Sequence, residues 1–192
     1  MAQELEQKVM VCFEEFSRCL AALRAHTGQA GETYVQVNYY FDTSDGALSA
    51  AHSMLRVRRK KNVLYLQYKN KRKRMGDLLL CDEFEALLES FPQTVNPHDY
   101  FPDAPDVTCT LLGDLVTLRT DFDLPGVIVS LDENIYFGLS DYEIEIEGEE
   151  APIQRVAAFL SPQGESKGGN GKFSRFMNQY RTYHNDGKGD IL

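Results

Sequence analysis

Two short stretches at opposite ends of the 192-residue chain space carboxylates two apart: ELEQK from Glu4 to Lys8, and YEIEIE from Tyr142 to Glu147. Between them, basic residues recur at the same interval, as Arg56 and Arg58 in LRVRR and as Lys69, Lys71 and Lys73 in YKNKRK. In an extended strand, residues two apart share a face and lie about 7 Å from each other. Glu4, Glu6 and Lys8 then oppose Leu5, while Met54, Arg56 and Arg58 oppose Leu55 and Val57. Gln67, Lys69 and Lys71 oppose Leu66 and Tyr68, and Glu83 and Glu85 oppose Phe84. Thr117 and Arg119 oppose Leu118, Ser130 and Asp132 oppose Leu131, and Glu143, Glu145 and Glu147 oppose Ile144 and Ile146. Carboxylates gathered from several strands suit a hard divalent cation, and guanidinium forks suit phosphate oxygens. Until a cation arrives, acids gathered in this way repel one another. Residue chemistry alone therefore points to metal-dependent handling of a phosphate ligand.

The elements that must carry these residues are mostly strands. Phe13, Phe16, Leu20 and Leu23 follow helical spacing, so a first helix is expected over Phe13–His26, closed by Gly28 and Gly31. Tyr34–Thr43, rich in β-branched and aromatic residues, reads as a strand before the turn residues Ser44–Gly46. SMLRVRRK, NVLYLQYKNK and LLLCDEFEAL read as three more, joined at Lys60–Lys61–Asn62 and at Met75–Gly76–Asp77. A Pro-rich surface excursion is expected from Phe91 to Asp106. Strands are expected again over Leu115–Phe122, Val127–Asp132 and Tyr142–Glu147, with a turn at Pro125–Gly126. Short helices follow over Ile153–Leu160 and Phe173–Tyr183.

The sum is an α+β domain over residues 1–185 with a frayed tail at 186–192. It has about eight strands, antiparallel by connection length. An open sheet with one wet face would show the same alternation. Acids, however, concentrate on the ELEQK, EFE and YEIEIE strands and bases on the two that carry LRVRR and YKNKRK. A closed or nearly closed eight-stranded antiparallel β-barrel with a polar interior, and helices packed on its outside, accounts for that segregation. One wall would hold cations and another anions.

Hydrophobic residues make up 43% and charged residues 26%, a globular composition. The net charge of -9 opposes a general role on nucleic acid. Alternation leaves only half of the charges in KNKRKR on any one face. The N-terminus lacks the apolar run of a secretory signal, and no stretch approaches the roughly 20 apolar residues of a membrane span. A cytoplasmic protein is expected, with no membrane partner. Cys12, Cys19, Cys81 and Cys109 form no CxxC and read as small apolar residues. His26, His52, His98 and His184 lack metal-ligand spacing, and neither a nucleophile elbow nor a P-loop is present.

In order along the chain stand ELEQK, YYFDT (Tyr39–Thr43), LRVR, the Lys69 strand, EFE (Glu83–Glu85), TLRTDF, SLDEN, YEIEIE and KFSR (Lys172–Arg175). This ordered set resembles the CYTH superfamily, the triphosphate tunnel metalloenzymes, and among them the small bacterial CYTH proteins and thiamine triphosphatases. The resemblance implies an eight-stranded antiparallel tunnel and Mg2+- or Mn2+-dependent hydrolysis of the terminal phosphate of a triphosphate. The substrate could be inorganic triphosphate, thiamine triphosphate or a nucleotide, and the protein a monomer or homodimer. Carried onto this chain, it gives Glu4, Glu6, Asp132, Glu143 and Glu145 as metal ligands. Lys8, Arg56, Arg58, Lys69, Lys71, Arg119, Lys172 and Arg175 become substrate-binding residues, with Lys8 and Lys69 also catalytic. The chain departs from the family's short Thr-Leu-Lys, so Lys69 and Lys71 both stay open, as does the choice of pair among Glu143, Glu145 and Glu147. A CYTH-type adenylyl cyclase would use the same residues. A binding module that holds polyphosphate or nucleotide without turnover would need fewer of the acids.

Overall fold

A computed structural model describes residues 2–75, 78–163 and 171–186; side chains are described over 5–70, 82–163 and 171–184. Among the described residues, nine strands and four α-helices follow one another as β1 (Ala2–Val11), α1 (Phe13–Thr27), β2 (Glu32–Asp42), α2 (Ala47–Ala50), β3 (Ser53–Lys60), β4 (Val63–Met75), β5 (Leu78–Leu88), β6 (Thr94–Val95), β7 (Cys109–Leu124), β8 (Val127–Tyr136), β9 (Leu139–Gly148), α3 (Glu150–Leu160) and α4 (Lys172–Asp186), with a short 3-10 turn at Pro97–Asp99. The α+β class expected from the alternating segments is the class observed. The expected turn at Gly76–Asp77 and the tail beyond Asp186 lie outside the described residues.

The strands form one antiparallel sheet in the order β2-β3-β4-β5-β1-β9-β8-β7-β6. In addition, β2 pairs with β7 from Glu32↔Asp121 to Asp42↔Thr110, with a register shift after Tyr40. Each of the eight longer strands therefore has an antiparallel neighbour on both sides. Turn chemistry sets these registers. Lys61 and Asn62 both take positive φ (48° and 65°), the backbone of a two-residue hairpin that matches strand twist. Phe137 and Gly138 do the same between β8 and β9, at 48° and 74°.

The apolar faces are buried in two outer clusters. Val129, Leu131, Ile144 and Ile146 pack against Cys19 and Leu23 of α1 and Ile153 and Leu160 of α3. Leu55, Val57, Leu66 and Tyr68 pack instead beneath Val95, Phe101 and Ala104 of the 91–108 excursion. Fully burying each such aliphatic side chain stabilises the fold by about 1.5–3 kcal/mol. The arrangement thus covers the acid-bearing and base-bearing strands with different material.

The last helix departs from the expectation that helices lie outside. Phe176 and Met177 of α4 pack with Tyr40, Met54, Leu115 and Tyr136. By strand parity those four residues continue the charged faces of β2, β3, β7 and β8 toward one end. Phe173 packs on Tyr40 as well, at 5.1 Å between ring centroids and with the ring planes tilted by 47°. The charged face is therefore stopped at that end by an aromatic plug.

Candidate metal and phosphate site

Antiparallel register brings the charged residues of neighbouring strands side by side. Lys8 lies opposite Glu145, and Glu6 opposite Glu147. Asp132 lies opposite Glu143 on one side and Arg119 on the other. Arg56 faces Gln67 and Lys69 faces Glu83. A cavity of about 550 Å³ is lined by Lys8, Arg56, Arg58, Lys69, Arg119 and Lys172 together with Glu6, Glu145 and Glu147. It is large enough for a small anionic ligand. The side chains of Glu4, Lys71 and Lys73 lie outside the described residues.

The acids meet on β8 and β9. Asp132, Glu143 and Glu145 are 0%, 1% and 7% exposed, and each offers one oxygen within 4.8 Å of the others. Three buried hard-oxygen ligands at that spacing suit Mg2+ or Mn2+. Instead of repelling one another, they are neutralised by side chains of the protein itself. Lys172 Nζ lies 2.7 Å from Asp132 Oδ2, 2.7 Å from Glu143 Oε1 and 2.6 Å from Glu145 Oε1. Arg119 donates through Nε and Nη2 to Asp132 at 2.7 and 2.6 Å, and through Nη2 to Glu145 at 2.5 Å. Lys8 Nζ lies 2.8 Å from Glu6 and 3.0 Å from Glu145. Arg175 donates to Asp141 Oδ2 at 2.8 Å and Glu143 Oε2 at 2.7 Å.

These contacts set the protonation states. Burial pushes the Glu145 carboxyl up, but Lys172, Lys8 and Arg119 outweigh it and hold the group well below its usual value. Burial dominates at Glu143 and, with Glu145 beside it, leaves that carboxyl raised. At Lys172 burial acts downward, and Asp132, Glu143 and Glu145 more than offset it.

The opposite wall is built differently. Arg56 donates Nε to the Gln67 carboxamide at 2.7 Å, and Arg58 donates Nε to the Asn38 carboxamide at 2.9 Å. Gln67 in turn donates to Glu85 at 2.6 Å. A neutral acceptor fixes a guanidinium without cancelling its charge. Burial, with Arg56 and Arg119 nearby, pushes Arg58 down to about 9, so an anion beside it would relieve the strain of like charges. Lys69 lies 2.5 Å from Glu83.

Of two groups that carry the geometry, the alternating pattern did not single out Asn38, and it placed Gln67 on the charged face without a role. Asn38 and Gln67 are fully or almost fully buried polar residues on the same faces as Tyr40 and Lys69, and that parity was the available signal. Lys172 and Arg175 were expected among phosphate ligands; they meet the acids. Asp42 of YYFDT turns away into a loop role, accepting from the amides of Thr43, Leu48 and Ser49 at 2.8–3.0 Å. The histidines lie elsewhere: His26 packs against Phe159 with tilted rings, while His98 and His184 bond the Ala104 and Tyr180 carbonyls.

Comparison with known proteins agrees with this construction. The CYTH domain model matches residues 2–158. The Bacillus subtilis protein named "Putative triphosphatase YjbK" is 29% identical over 192 residues, covering 93% of this chain and 96% of the relative. A Bacillus halodurans crystal structure, named "putative adenylate cyclase", superposes with TM-score 0.71 at 27% identity, over 92% of this chain and 99% of that one. A Hippeastrum protein, described as a "putative adenylyl cyclase" that reveals a dominant triphosphatase activity, shares the fold at TM-score 0.71 and 24% identity, over 92% and 96% of the two chains.

Proposed function

Because the chain belongs to the CYTH family, we propose that it hydrolyses the terminal phosphate of a triphosphate with Mg2+ or Mn2+. In this reading the two-sided pairing of the eight strands wraps the charged faces into a tunnel. The observation that carries it is the pairing of unlike walls around one cavity: Glu145, through which the buried Asp132–Glu143–Glu145 cluster reaches the cavity, with Glu6 and Glu147 on one side, and Arg56 and Arg58 oriented by neutral carboxamides on the other.

Asp132, Glu143 and Glu145, with Glu4 and Glu6 of β1, are the residues that would hold the cation. Bound there, a divalent ion supplies positive charge for the phosphate oxygens and a water of lowered pKa. The chain's own part is binding and orientation. The Nε bonds to Gln67 and Asn38 aim Arg56 and Arg58 into the cavity, where their guanidinium groups can meet phosphate oxygens; Arg56 Nη2 also lies 4.0 Å from Glu83. Lys8 and Lys69 line the same cavity and add charge where the transferred phosphoryl group gathers it. The aromatic plug of Phe173, Phe176 and Tyr40 excludes water from one end of the charged face. The protein would work in the cytoplasm, as a monomer or homodimer.

The name of the Bacillus halodurans neighbour gives cyclisation of ATP a place as the second reading. The experiment is a panel of inorganic triphosphate, thiamine triphosphate and ATP with Mg2+ or Mn2+, scored for phosphate and for cyclic AMP. Single-phosphate release is expected. Cyclic AMP as the product would establish the second reading, and binding without turnover would make this a phosphate-holding module.

A further inference from the structure

α4 begins with two cations and no acid in its first turn: Lys172 is its first residue, and Arg175 follows at the next turn. Positive charge at that end opposes the helix macrodipole, so the helix gains nothing from it locally. What offsets it is the acid cluster of β8 and β9. The Lys172 ammonium touches one oxygen from each of Asp132, Glu143 and Glu145, at 2.6–2.7 Å. Those are the carboxylates whose oxygens lie within 4.8 Å of one another. A divalent ion ligated by all three needs the position the ammonium fills, and two cations in one buried site repel strongly.

We propose that Asp132, Glu143 and Glu145 form one exchangeable cation position, taken by Lys172 in the metal-free protein and by a divalent metal in the loaded protein. Loading frees the Lys172 ammonium and loosens the first turn of α4. Arg175 keeps its hold on Asp141, which lies outside the triad, and Phe176 stays buried, so the helix remains docked. The released ammonium still belongs to the wall of the cavity that holds Arg56 and Arg58. This inference rests on the metal reading of the triad given above.

The test is calorimetry of Mn2+ binding, without substrate, to the parent, Lys172→Met and Asp132→Asn proteins. Hydrogen exchange of the parent's Arg175–Asn178 amides, with Mn2+ and with chelator, runs beside it. Lys172→Met keeps an unbranched side chain of nearly the same length and removes its charge. It should bind Mn2+ at least about tenfold more tightly than the parent, equivalent to about 1.4 kcal/mol. Asp132→Asn should bind at least about tenfold more weakly. The parent's α4 amides should exchange faster with Mn2+ bound. Equal or weaker binding by Lys172→Met would overturn the proposal while leaving the metal reading intact. No binding by either the parent or Lys172→Met would overturn both. If Lys172→Met does not fold, the parent's exchange decides alone, and unchanged or slower exchange with Mn2+ sinks the idea.

Discussion

Arg58 and Arg59 are neighbours in sequence and opposites in environment. Arg58 shares the charged face with Arg56 and is oriented by Asn38, while Arg59 is exposed on the other face. Arg58→Ala should lower kcat/KM for the preferred triphosphate at least about tenfold, the effect of losing about 1.4 kcal/mol of transition-state stabilisation. Arg59→Ala should leave it within about twofold. Steady-state kinetics on both variants checks this, and equal losses would mean that the facing is wrong. That facing was legible from alternation alone, since a period of two fixes which side chains share a face. The destinations of Lys172 and Arg175 were not. A helix docks as a body, and nothing in KFSR says whether its cations meet the acids or the ligand. The same gap hid Asn38 and the part that Gln67 plays, since neutral amides look like ordinary strand polars until their arginines are seen.

Elements were read best where turn chemistry bounds them. β3 was expected over SMLRVRRK and is observed over Ser53–Lys60, because Lys61–Asn62 forces the chain to reverse there. β7 runs from Cys109, six residues before the expected Leu115, because its pairing with β2 continues past a register shift that blurs the alternation around Gly113. α2 and β6 are four and two residues long, too short to leave a periodic signal. α3 starts at Glu150, ahead of Pro152, because proline fits the first turn of a helix. Two predictions belong to this scale. Phe176 is fully buried in the plug, so Phe176→Ala should cost about 3–5 kcal/mol in denaturant unfolding. Leu87→Ala, at 70% exposure, should stay within about 0.5 kcal/mol. The second concerns Glu15, which ties α1 to α3 by accepting twice from Arg18 and once from the Gln163 amide, while Arg18 donates to the Leu160 carbonyl. Those bonds, led by Arg18, hold its carboxyl at about 2. A folded value below the unfolded one, about 4.3, stabilises the protein above that unfolded value and loses the contribution as pH falls toward 2. With Arg18 half-exposed, Glu15→Gln should cost only about 1 kcal/mol at pH 7. Thermal melts should show the difference from the parent shrinking from pH 4.3 downward; a difference that grows on acidification would contradict the assignment.

At the scale of the whole molecule, a chain of net charge -9 is expected to bind an anion only because its charges are sorted. Acids on β8 and β9 are backed by α1 and α3, and bases on β3 and β4 by the 91–108 excursion. The sorting was visible in the sequence strand by strand, but the pairing of β2 with β7, across some 80 residues of chain, is a long-range contact with no local signature. Because a metal would bind the folded state alone, saturating Mn2+ at about 100 times its Kd should stabilise the parent by about 2.7 kcal/mol, read as a rise in Tm. Asp132→Asn should lose most of that rise. If the two walls work together through a metal, phosphate release depends on that metal. That dependence is tested most directly by the initial rate of phosphate release from inorganic triphosphate as Mn2+ or Mg2+ is titrated into chelated protein, for the parent and for Glu143→Gln. The parent should start at baseline and rise saturably, and Glu143→Gln should stay at least about a hundredfold lower throughout, a loss of about 2.7 kcal/mol. Release by the parent at full rate in chelator, or a Glu143→Gln titration that overlays the parent's, would contradict the account.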